Sequence, residues 1–150
     1  MALAARQPQF SLVLRRDFAA PRERVFAAWT DPRLVARWWP GRFTLLSSQM
    51  DVRPGGIWRR RLRRPDGVVL SERGLFREIV APERLAFTYT CEGGEFVEPE
   101  TLVVVTLTEH AGGTRLMLQH GSFDADTRLA EHENAWSRCL DRISTVVSKR

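Results

Sequence analysis

The residues most able to do chemistry here are aromatic and basic. Five tryptophans stand in 150 residues, and Trp29, Trp38 and Trp39 cluster in one helical stretch. Trp58 lies in a strand-like segment and Trp136 in a helix-like one. Such rings either pack a core or line a cavity for an apolar ligand. Arg60 sits in IWRRRLR, where two-residue alternation puts Trp58, Arg60 and Leu62 on one face and Ile57, Arg59, Arg61 and Arg63 on the other. The tryptophan face is expected to be covered, so Arg60 is expected to point inward. A buried guanidinium needs a partner: Glu72 or Glu78 within the protein, or an anionic or carbonyl group of a ligand. His120 alternates in phase with Leu116 and Leu118, and His132 lies one turn before Trp136. Each histidine suits a proton shuttle, a ligand contact or a hydrogen-bonded core position.

Motifs for other chemistries are missing. The sequence contains no GxGxxG, Walker loop, HExxH or GxSxG. Cys91 and Cys139 are far apart and form no CxxC or Cys/His cluster, so two buried thiols are expected and no zinc site. No metal or cofactor is expected. Lys149 is the only lysine, and the run Arg59, Arg60, Arg61, Arg63, Arg64 carries much of the net charge of +5. That run suits either a phosphate contact or a solvated strand face. Stacking aromatics beside glycine-bearing strands do not accompany it, so no nucleic-acid partner is expected.

These side chains need elements to hold them. Phe10, Leu12, Leu14 and Phe18 alternate, which predicts a half-buried strand over 10–18. Pro21 opens a short helix carrying Val25, Phe26 and Trp29, and Asp31-Pro32 caps and starts a second, which Pro40-Gly41 ends. Strands follow over 43–52, 57–63, 68–80, 85–90, 101–109 and 114–120, separated by turns containing Gly or Pro. Leu129, His132, Trp136, Leu140, Ile143 and Val147 then predict one long helix, with Asp124 or Asp126 as its cap. Short turns make the strand run antiparallel, and one amphipathic helix can cover one sheet face: an α+β domain over 10–150, preceded by an extended or disordered stretch over 1–9. With 43% hydrophobic residues and no apolar run near the roughly 20 residues a membrane helix needs, the expectation is a cytoplasmic protein without membrane insertion or signal peptide.

The chain resembles the START-like, helix-grip superfamily, and within it bacterial proteins related to the activator of Hsp90 ATPase. The likeness rests on FAAPRERVFAAWTDPRLVARWW, DVRPGGIW, the PDG…ERGLFREIVAPERLAFTY block, VVVTLTEHAGGTRLMLQHGSF and HENAW, in that order. It implies about seven curved antiparallel strands around the last helix, with a deep cavity between. It also implies pocket walls from Trp38, Trp39, Trp58, Phe87, Tyr89, His132 and Trp136; Phe76, in the same block, is counted with them. Ala135 stands where the family often has glycine. Members include lipid carriers, hormone-binding proteins, aromatase/cyclases and co-chaperone domains, with no shared catalytic residues. The leading expectation is therefore non-enzymatic binding of a small hydrophobic or aromatic molecule. The alternatives are an aromatase-, cyclase- or hydrolase-type enzyme using Arg60, His120 and His132, a chaperone-docking module, or a stress or regulatory role. A weak preference for a homodimer is expected, with the first strand at a sheet edge.

Overall fold

The computed structural model describes residues 10, 12–94, 96–121 and 126–148. The expectation for residues 1–9 and the capping of the last helix by Asp124 or Asp126 fall outside the described residues and side chains. The elements run β1 (Leu12–Phe18), α1 (Arg22–Thr30), α2 (Pro32–Trp38), β2 (Thr44–Met50), β3 (Ile57–Arg63), β4 (Val69–Val80), β5 (Arg84–Gly93), β6 (Phe96–His110), β7 (Gly113–Gly121) and α3 (Asp126–Ser148). One seven-stranded sheet has the order β1-β7-β6-β5-β4-β3-β2, antiparallel at every pairing. β1 and β2 are its two edges. The α+β helix-grip architecture thus stands as expected.

Local chemistry explains the elements. Asp31 caps α2: its carboxylate accepts the Arg33 N–H at 2.9 Å, and Pro32 occupies the first turn, where its missing N–H costs nothing. β3 alternates strictly between exposed and buried positions, so Trp58, Arg60 and Leu62 share the inner face. α3 buries Leu140, Ile143 and Val147. Its backbone lies closest to β1, α1 and α2 and stands farther from β3, β4 and β5. That asymmetry leaves a gap between the helix and the far half of the sheet.

Two departures from the simple strand pattern bear on the cleft. β6 begins at Phe96, five residues before the expected start at Thr101. A bulge lies where the pairing passes from Tyr89↔Thr101 to Cys91↔Glu98: one extra residue of β6 sits beside Pro99, which has no N–H to give a ladder. The extra residue reverses the alternation and turns Glu98 to the inner face. The second feature is Gly74, opposite Trp58 in the β3–β4 register. A Cβ at Gly74 would stand 1.8 Å from the Thr88 carbonyl oxygen and 2.6 Å from Trp58 Nε1. The missing side chain lets the Trp58 indole cross β4 and donate to that same carbonyl on β5 at 3.1 Å.

Candidate functional site

A cleft of about 910 Å3 opens between α3, the Trp39–Phe43 segment and the inner face of the sheet. Its aromatic walls come from Trp39, at the C-terminus of α2, Tyr89 on β5 and Trp136 on α3. Trp39 and Trp136 meet edge to face, with ring centroids 5.4 Å apart. The polar groups on its surface include Glu72, Glu98 and His132.

These groups form two linked sets. Glu72 accepts the Trp39 indole N–H at 2.7 Å with one oxygen and the Tyr89 hydroxyl with the other. Tyr89 is buried, and burial together with the Glu72 charge holds its hydroxyl proton well above the usual phenol range, so it remains a donor. In the second set, His132 Nε2 bonds Glu98, whose carboxylate is buried. His120, 0% exposed, lies behind both. Trp136 can only donate, and its N–H reaches His120 Nδ1 at 3.0 Å, so Nδ1 is the accepting nitrogen. Nε2 then carries the proton and donates to Thr101 Oγ1 at 2.8 Å, and Thr101 donates onward to the Tyr89 carbonyl at 3.2 Å. Burial, reinforced by His132, pushes His120 well below the ordinary histidine range and keeps it neutral. Cys139, also on the cleft, has its thiol pushed up to about 12 by burial and the Glu72 charge, so it is no thiolate nucleophile at neutral pH.

Of the ten residues singled out from sequence, Trp39, Tyr89, His132 and Trp136 line the cleft. Trp38, Trp58, Phe76, Phe87 and His120 are buried and form the layer behind it. Trp38 donates to the Ala28 carbonyl at 2.7 Å. Phe87 stands 5.8 Å from Trp58 and 6.3 Å from Phe76, edge to face in both contacts. Arg60 does point inward and is only 3% exposed. Its guanidinium carbon lies 4.2 Å from the Trp39 ring centroid and 4.8 Å from that of Trp58, and Nη2 meets Met50 Sδ at 3.2 Å. Among the described residues Nε has no hydrogen-bond partner. Burial lowers the group to about 10, against the attraction of Glu72, its cross-strand neighbour. Glu78 is not its partner: that carboxylate bonds Arg84 at 2.8 Å.

Sequence reasoning missed Glu98 and Cys139 as cleft residues and saw Glu72 only as an arginine partner. The one signal for Glu98 was Pro99 inside an otherwise strand-like run, which marks a bulge.

The family model for the activator of Hsp90 ATPase homolog 1-like protein matches residues 19–148. The chain belongs to this family. Solved structures of similar fold include an uncharacterized protein from Rhizobium leguminosarum, with 26% identity, TM-score 0.83, and 93% of this chain and 94% of that one covered. A Rhizobium loti protein shares 26% identity with TM-score 0.77, over 90% and 94% of the two chains. The AHSA1 protein from Silicibacter pomeroyi, at 24% identity, TM-score 0.78, and 91% and 96% coverage, shares the fold. No curated protein matches the chain.

Proposed function

We propose that this chain binds a small hydrophobic or aromatic molecule in the cleft between α3 and the sheet, without transforming it. The observation that carries the reading is the cleft of about 910 Å3 walled by Trp39, Tyr89 and Trp136, a size and lining suited to a drug-sized apolar ligand. Glu72 already holds Trp39 and Tyr89, and Glu98 holds His132. They therefore supply orientation more readily than proton transfer. His120, the enclosed histidine that an enzymatic reading would use, spends both ring nitrogens on Trp136 and Thr101. The exposed large apolar residues Val13, Leu46, Ile57, Val80 and Val97 sit on five different strands, which favours the cleft over a broad apolar docking patch.

The test is thermal denaturation with a panel of apolar ligands: aromatic hydrocarbons, phenols, fatty acids and alcohols. A ligand that binds the native state raises its stability, by about 2.7 kcal/mol at a hundredfold excess over Kd. At least one aromatic class is expected to raise Tm. If no class does, the proposal fails.

A further inference from the structure

The sheet face turned away from the cleft carries a second concavity, of about 500 Å3, spanning residues of β2 to β6. Arg59 and Arg61 of β3, Arg73 of β4 and the hydroxyl residues Ser47 and Ser71 line it. In register, Arg59 stands directly opposite Arg73, and Arg61 stands between Ser47 and Ser71. Like charges facing each other across a ladder weaken it. Arg73 has the Glu92 carboxylate at 2.8 Å, but among the described residues Arg59, Arg61 and Arg63 form no ion pair. The fold thus keeps a row of exposed cations in a groove, beside a carboxylate-free neighbour strand, β2 (TLLSSQM).

We infer that this groove docks an acidic, extended segment of a partner protein, with its carboxylates on Arg59 and Arg61. The lining selects this occupant. Ile57 and Leu75 face each other in register and also line the groove, which gives an apolar spot beside the cations and suits a peptide alternating acidic and aliphatic side chains. A single-stranded nucleic acid wants aromatic platforms, and among the described residues no aromatic side chain lines this groove, the tryptophan of β3 being on the inner face. A lone phosphate would leave most of the volume unfilled. Glu100, at the β6 end, repels carboxylates there and confines the acidic residues to the β3 end.

The site is on the opposite face from the cleft, so it stands or falls independently of small-molecule binding. The probe is a fluorescein-labelled peptide of about ten residues alternating glutamate and valine, titrated into the full chain and read by anisotropy. The companions are the glutamine–valine peptide and an oligothymidylate of equal charge. The glutamate peptide is expected to bind at least about tenfold more tightly than the glutamine one at low salt, and to lose most of that margin in about 0.5 M salt. Arg59→Gln with Arg61→Gln is expected to remove the margin while Tm holds or rises, because Arg73 loses its opposing charge. Arg15→Gln with Arg37→Gln, two exposed arginines elsewhere, is expected to keep it. Equal binding of the two peptides, equal loss in both double variants, or tighter binding of the oligothymidylate would overturn the inference.

Discussion

Arg60 brings a positive charge into the inner face, and among the described residues no carboxylate is bonded to it. Two opposing effects meet there: burial penalises the charge, while the Trp39 and Trp58 faces and the nearby Glu72 favour it. Arg60→Met keeps most of the volume and removes both effects, so stability is expected to change by less than about 1 kcal/mol. Arg60→Ala also removes the buried side-chain stem and is expected to cost about 2–4 kcal/mol. Urea unfolding of both variants checks this; a methionine variant as damaged as the alanine one would mean the charge itself holds the site together. His120 makes a different statement about pH. Its proton affinity is depressed in the folded protein, by burial first and by His132 second, so below the ordinary value of 6.5 the unfolded chain binds the extra proton. Stability is therefore lost as pH falls below about 6.5, by up to about 1.4 kcal/mol per pH unit from this group. Comparing urea midpoints at neutral and mildly acidic pH, the wild type should lose more than His120→Gln does. Equal losses would show that His120 titrates normally.

At the scale of the element, alternation in β3 was legible from IWRRRLR alone: it put Arg60 inward and Arg59, Arg61 and Arg63 outward, as found. What alternation could not show was a phase change. Glu98 turns inward because a bulge at Pro99 adds one residue to β6, and neither hydropathy nor spacing counts that residue. Gly74 was visible as a glycine inside a strand, but its reason lies on the two neighbouring strands. Trp58 crosses it to reach Thr88 on β5, and only the folded sheet brings the three together. Gly74→Ala is expected to push the indole off that carbonyl and cost about 2–3 kcal/mol, with a shift in tryptophan fluorescence. If the variant keeps wild-type stability and emission, the close approach is not what fixes Trp58.

The whole molecule turns on how α3 lies across the sheet. The 3.6-residue spacing of Leu140, Ile143 and Val147 announces that the helix is buried, and the antiparallel run of strands says against what. Neither announces that the helix approaches β1 and the two short helices while standing off from β3 to β5. The cleft lies where the helix stands off, so its existence was an expectation from family likeness rather than from residue pattern. Ala135 lies on the cleft, one residue before Trp136, and is exposed. Ala135 itself takes no part in the Glu72 or His120 hydrogen bonds, so Ala135→Trp is the substitution with which to fill the opening. The decisive measurement is titration of the neutral aromatic probe N-phenyl-1-naphthylamine into both proteins, read by its fluorescence and by quenching of the tryptophans. The wild type should bind it saturably at one site, and the variant should fold with a wild-type Tm and bind it at least about tenfold more weakly. Equal affinity for both, or no saturable binding to the wild type, would contradict a ligand-binding cleft.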